Sequence, residues 1–270
     1  MITFGMPTMM EISEVEKTAA LCAELGLSFV ELNTNFPMHQ PHLLDTERLN
    51  SLAAQYGISY TIHLNDEMAV AEFNPRVSEG YRQMVLDVIE LAKKIGVKTL
   101  NMHMYDGGKY TMPDKIVRFY DVYREEYLRE MTAFRDLCED AVADSGIRIC
   151  IENTNGFRDY QLAALEVLLE SPAFALTLDT GHNYCAKAVD EAFILSHKQR
   201  LCHMHLHDAK APNNDHLPLG EGELDIKSLL SLADKQNCSV VLEVKTIAGL
   251  RKSAEWIKNT GLSGKFCKKY

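Results

Sequence analysis

No stretch of this 270-residue sequence stays apolar for the eighteen or so residues that a membrane-spanning helix needs, which argues against a helical membrane protein. Nor do any two cysteines stand in a C-x-x-C pair. The seven, at 22, 138, 150, 185, 202, 238 and 267, are an odd set and widely spaced, so a zinc ribbon or a dithiol redox centre is not expected. They read as reduced, mostly buried thiols. Positive charge is also short: 28 Lys and Arg face 38 Asp and Glu, a formal −10. That balance opposes a broad, non-specific grip on nucleic acid phosphates, although a local basic patch would survive it. The opening "MITFGMPTMMEISEVEK" has no basic start and no apolar core of a secretory signal, so a cytoplasmic location is expected. No linker, low-complexity tract or charge run divides the chain, which is read as one domain over residues 1–270.

What the sequence does contain is a repeated unit. A helical pattern ends at glycine and a β-rich run follows within one or two residues, in "AELGLSFVEL", "AAQYGISYTIHL", "AKKIGVKTLNMH" and "ADSGIRICIEN". Glycine suits the left-handed cap from which a chain turns into a strand. Later units are less uniform: "ESPAFALTLDT" turns on Ser171-Pro172, "KQRLCHMHLHD" has no glycine, and "DKQNCSVVLEVK" uses Asn237 as its cap. With "ITFGMP" at the start, β-rich runs begin near residues 2, 28, 59, 98, 147, 174, 201 and 239. Helical stretches fill the gaps, for example one that places Val85, Val88, Ile89, Ala92 and Ile95 on one face. Eight strands alternating with helices predict an α/β fold, a single (β/α)8 TIM barrel. One segment breaks the rhythm: residues 107–121 alternate β-branched and aromatic residues around Pro113-Asp114, and read as a small hairpin over the barrel mouth or an irregular helix start.

In such a barrel the functional groups sit where strands end. The third strand ends in His63, the fourth in His103, the fifth in Glu152, the sixth in Asp179, the seventh in His205 and the eighth in Glu243, while Glu31 closes the second. Carboxylates and imidazoles crowded at one mouth would repel and desolvate one another. A divalent cation resolves that cost, since these are the oxygen and nitrogen donors of zinc, manganese or cobalt, with magnesium as a further candidate. In "HMHLHD", His203, His205 and His207 share a strand face. His205 is at the depth of Glu243 and Asp179, His203 lies one step deeper, packing or supporting a ligand, and His207 falls at the rim, open to substrate or to nothing.

These motifs resemble the xylose isomerase-like barrels, a superfamily that includes sugar isomerases, sugar epimerases and the apurinic endonuclease IV group. The resemblance runs through "YTIHL", "LNMHMYDGG", "ICIENTNG", "LTLDTGH", "HLHDAK", "DHLPLGEGELD" and "VVLEVK". It implies that His63, His103 and Glu152 hold one metal and that Glu152, Asp179, His205 and Glu243 hold a second, with Glu152 bridging. His182 and His216 correspond to a third site found in the endonucleases, giving one to three ions. The sequence departs from the endonucleases in places. Asn214 stands where they have an aspartate, Asp215 is displaced by one, His207 replaces their asparagine, and "LNDEMAVAEFNPRV" lacks their tyrosine-leucine wedge.

The resemblance and the residues together point to an isomerase or epimerase acting on a small sugar, sugar phosphate or related polyol. Glu152 and Glu243 are the expected catalytic pair, one removing and one returning a carbon-bound proton in an enediolate-type transfer. His182, His207, Lys245 and Glu31 are the candidate substrate contacts, although Lys245 reads equally as a solvated rim lysine and Glu31 as half of an internal ion pair. The rival reading is a zinc-dependent phosphodiesterase of the endonuclease IV type acting on DNA, which the acidic balance disfavours. Elimination by a related lyase and a barrel that only binds a ligand are further alternatives, and homo-oligomerisation is left open. His39 and His42 lie on the loop after the second strand, lining the pocket or facing water. Trp256 reads as packing, and "GEGEL" as a turn into the seventh helix rather than a phosphate loop.

Overall fold

At Gly57 and at Asn237 the backbone takes φ of 65° and 55°, and in each case the chain leaves a helix and enters a strand within two residues. Asparagine tolerates this left-handed conformation better than other residues with a side chain, so the two caps do the same work. The computed structural model describes residues 2–260; Met1 and residues 261–270, which include Cys267, lie outside it.

Eight strands close into one parallel barrel: β1 (Thr3–Pro7), β2 (Phe29–Asn33), β3 (Ser59–His63), β4 (Thr99–His103), β7 (Arg148–Glu152), β8 (Phe174–Asp179), β9 (Leu201–Leu206) and β12 (Ser239–Leu242). Their first residues fall within one position of the β-rich runs predicted from the sequence. Two short antiparallel hairpins interrupt the alternation after β4 and β9. They are β5 (Lys109–Thr111) with β6 (Ile116–Arg118), and β10 (Asp208–Lys210) with β11 (Asn214–Leu217). In the first, Met112 donates its N–H to Lys115 O across Pro113-Asp114.

The long helix Pro75–Ile95 shows how the outer layer is held. Pro75 sits at its first turn, where no N–H is needed, and Asn74 caps it by accepting from Arg76 N at 3.1 Å. Its inward face buries Val85, Val88, Ile89, Ala92 and Ile95. Each larger aliphatic group there contributes roughly 1.5–3 kcal/mol. No helix among the described residues is long and apolar enough to cross a membrane.

The second hairpin is tied down by one side chain. Asp208, which is buried, accepts from Ala209 N and Leu224 N through Oδ1 and from Gly220 N and Gly222 N through Oδ2, at 2.9 to 3.1 Å. The "GEGEL" turn is therefore wound around a carboxylate before the helix Ile226–Gln236 begins. Gly222 is required at that point, since a Cβ would collide with the Asp208 carboxylate. Trp256 packs against the core and covers Gly220.

Candidate metal and active site

The carboxyl ends of β7, β8 and β9, with the residue after β12, bring ligand atoms of Glu152, Asp179, His205 and Glu243 within 4.8 Å of one another. All but Glu243 are within 1% of complete burial, and its side chain is 12% exposed. His205 Nδ1 lies 3.2 Å from Glu152 Oε1 and 3.1 Å from Glu243 Oε2. On the other side of the same ring, Glu31 Oε1 stands 2.9 Å from Nε2. A carboxylate behind an imidazole fixes its orientation and leaves the opposite nitrogen to a ligand, an arrangement common around metal-bound histidines.

Two further donor sets flank this centre. His63, Asp66 and His103 form one, and His63 also meets Glu152 and His205. His63 Nδ1 donates to Leu64 O at 2.6 Å, so its Nε2, 3.5 Å from Glu152 Oε2, is the nitrogen with a free lone pair. His103 Nε2 lies 3.1 Å from the same oxygen. The other set is His182, His207 and His216. Asp215 Oδ1 stands 2.7 Å from His216 Nδ1, and Oδ2 stands 3.9 Å from His182 Nε2. The displaced aspartate thus backs His216, as Glu31 backs His205, and turns His216 Nε2 toward Glu243 at 3.8 Å.

These donors suit a divalent cation on two observations. First, His205 Nδ1, His182 Nδ1, His216 Nε2 and Glu243 Oε2 are buried without a hydrogen-bond partner, an arrangement that costs free energy unless something coordinates them. Second, three carboxylates share one buried set. Burial works against the charge on Glu152 and Glu243, yet His205 holds both carboxyls well below the usual range. A cation can do what protonated His205 does there, and with a neutral imidazole as ligand. Burial, reinforced by His207, already lowers the pKa of His216.

One side chain stands elsewhere than the strand pattern predicts, and a second takes one of the two roles it was offered. His207 is not at the rim. It is completely buried, because β9 ends at Leu206 and the β10–β11 hairpin folds back over it, stacking His216 on its ring at 4.2 Å between centroids. His207 Nδ1 accepts from His216 N at 2.7 Å, so Nε2 carries the hydrogen and donates to both oxygens of Asp179 at 3.0 Å. With both nitrogens engaged, His207 orients Asp179 rather than contacting substrate. Glu31, 2% exposed, likewise faces no solvent: it accepts from Thr61 Oγ1 and meets His203 Nε2, each at 3.0 Å. Of its two expected roles, the internal ion pair is the one built.

Lys245 does stand at the rim, its Nζ 2.8 Å from Glu243 Oε1. His203 is packed at depth between Glu31 and Ser239. His39 is buried beside Asn33 O, and His42 is exposed. Asp66, Asn101 and Asn153 were not singled out from the sequence. Asn101 Nδ2 donates to Glu152 Oε2, and Thr177 Oγ1 donates to Asn101 Oδ1 at 2.6 Å. Asn153 brackets the Asp179 backbone, donating to its O and accepting from its N. Asparagine inside a parallel strand or just past its end was the available signal for both.

A cavity of about 400 Å³ opens beside the cluster, with His103, His182, Asp66, Asp106 and Arg158 in its wall. A more open one of about 720 Å³ adjoins it at Asp66, between Asn35 and the helix Pro75–Ile95.

Known proteins show the same architecture. A solved D-tagatose 3-epimerase-like protein is 21% identical, with a TM-score of 0.78 over 97% of this chain and 98% of its own. The IolI protein, solved with a bound zinc atom, is 15% identical, with a TM-score of 0.69 over 99% of this chain and all of its own. In sequence, the uncharacterized protein MJ1614 of Methanocaldococcus jannaschii is 24% identical over 197 residues, 72% of this chain and 73% of that protein. The family described as "Xylose isomerase-like TIM barrel" matches residues 19–260. The chain therefore belongs to the xylose isomerase-like TIM barrel family.

Proposed function

We propose that the protein is a metal-dependent isomerase or epimerase of a small sugar, sugar phosphate or related polyol. The observation that carries this reading is the buried set of Glu152, Asp179, His205 and Glu243, whose ligand atoms lie within 4.8 Å of one another, with His205 Nδ1 and Glu243 Oε2 unpartnered. The solved neighbours named as sugar epimerases support the substrate class. Those four residues would hold the cation, zinc or manganese before cobalt or magnesium. When bound, the ion supplies Lewis-acid polarisation of a carbonyl next to the carbon that exchanges its proton.

The proton itself is handled by the two glutamates. Glu152 has Oε2 tethered by Asn101 and His103, and Glu243 has Oε1 tethered by Lys245, so each keeps one oxygen directed inward beside His205. One removes the carbon-bound proton and the other delivers it, as paired carboxylates with one fixed and one reactive oxygen are placed to do. His182, 21% exposed and in the cavity wall, is positioned to bind a substrate oxygen.

A second reading is a zinc phosphodiesterase of the endonuclease kind. It is favoured by the two flanking histidine sets and by Asp215, which stands beside His182 and His216 despite its shift in sequence. The formal charge of −10 weighs against a nucleic acid partner. To separate the two, protein purified without chelators is incubated with a panel of ketoses and ketose phosphates in D2O, and with abasic DNA. Deuterium entering a sugar carbon, with loss of exchange in Glu243→Gln, supports the first reading. Strand nicking with three zinc ions per chain and no exchange overturns it.

A further inference from the structure

The cavity beside the cluster is acidic or imidazole-lined near His103 and carries one guanidinium, that of Arg158. Arg158 engages Asp106 through Nε at 3.2 Å and Nη2 at 3.1 Å, leaving the rest of its fork unused by that contact. Asp106 is shared. Arg118 of β6 donates Nη1 to Asp106 Oδ2 at 3.0 Å, and Gln161 Nε2 reaches Oδ1 at 3.3 Å. Two guanidiniums therefore flank one carboxylate, so this group of three is net positive, in a wall that also carries Asp66 and Glu67. Tyr160 Oη and Gln161 Nε2 also donate to the carbonyls of Asp106 and Met104, so this loop is fixed to the start of the helix Asp159–Leu169. The arginine is braced, and its planar donors suit the oxygens of a phosphoryl group.

Resting on the isomerase reading, we propose that Arg158, backed by Arg118 on Asp106, is the subsite for the phosphate of a phosphorylated sugar. The carbon that exchanges its proton then lies toward Glu152 and Glu243. A volume of about 400 Å³ accommodates a small ligand, and the one guanidinium in the wall matches one phosphoryl group, not a strand of them. Arg158, the guanidinium in this wall, would favour a phosphorylated sugar over a neutral one.

The test uses the full chain with its metals, and inorganic phosphate as the probe in titration calorimetry. Arg158→Gln is expected to weaken phosphate binding at least tenfold with metal content and Tm retained, and Arg158→Lys to recover part of the loss. Asp106→Asn, which keeps an oxygen to brace the guanidiniums and removes the carboxylate's charge, is expected to tighten binding severalfold. Phosphate binding that is absent, or equal in wild type and Arg158→Gln, overturns the subsite, as does weakening in Asp106→Asn. In the deuterium assay, Arg158→Gln is expected to raise KM for ketose phosphates tenfold or more and to leave free ketoses unchanged. Exchange confined to free ketoses removes the subsite while the isomerase reading stands. The calorimetric pattern without exchange on any sugar removes the isomerase reading and keeps the anion site. Abasic DNA nicking lost in Arg158→Gln would overturn the assignment to a small sugar.

Discussion

The floor and the mouth of this barrel are made by the same strands, two residues apart, and have opposite chemistry. On β7, Cys150 and Glu152 point into the same interior. Cys150 packs with Ala175 and Cys202 in an apolar cluster, its Sγ 3.1 Å from that of Cys202. Glu152 meets His63, His103 and His205. Between the two levels, Asn101 and Thr177 form a neutral polar layer whose groups bond to one another and to Glu152. The floor is satisfied by packing and the middle by internal hydrogen bonds. Of these three levels, and among the described residues, only the mouth holds buried ring nitrogens and a carboxylate oxygen without partners, so the unmet coordination inside the barrel lies where a ligand can arrive.

The sharpest way to break that contrast is at Glu243. Glu243→Gln keeps the shape and removes the charge, and is expected to slow solvent deuterium exchange into substrate by about 10²–10⁴. Far-UV circular dichroism and Tm should stay near wild type, because the floor and the outer helices carry the stability. A fall in activity matched by unfolding would mean that the mouth is part of the scaffold.

The next effect is structural and tests the edge of the mouth. Asp208→Ala leaves four backbone N–H groups without their acceptor and unties the hairpin that carries Asp215 and His216. The expected loss is about 3 kcal/mol, read as a Tm lower by about 6–12 °C. His207→Ala comes third. It removes the donor on Asp179 and the acceptor of His216 N–H, and metal affinity measured by competition with a chromogenic chelator should fall about 10–100-fold.

His207 also marks where the sequence stops being legible. Period-two alternation places His203, His205 and His207 on one face, and it is correct while the strand lasts. It cannot say that β9 ends at Leu206, nor that residues 208–217 fold back as a cover. The barrel was legible because β-rich runs recur eight times and glycine caps precede four of them, and both are local signals. The charged strand ends were legible because each stands against an apolar background. Asp66 was not, since it lies on a loop three residues past His63 with no periodicity to place it, and meets His103 because β3 and β4 pair side by side. Glu31 read ambiguously because its partners, His203 and His205, are more than 170 residues away.

The smallest effect is predicted at the floor, and its smallness is the point. Cys150→Ala removes one sulfur from an apolar cluster and should cost about 1 kcal/mol, with metal content and exchange activity unchanged. Thiol chemistry offers a parallel test at other depths of the molecule. Burial pushes Cys22 and Cys238 up to about 12, so neither forms thiolate near pH 8 and neither should react with a disulfide reagent before the chain unfolds. Cys185, on the helix Thr180–Cys185 at the mouth, is partly exposed and should be the one described thiol that labels in the native protein. If Cys150→Ala instead releases metal, the neutral Asn101–Thr177 layer does not insulate the mouth from the floor, and the two levels act as one network.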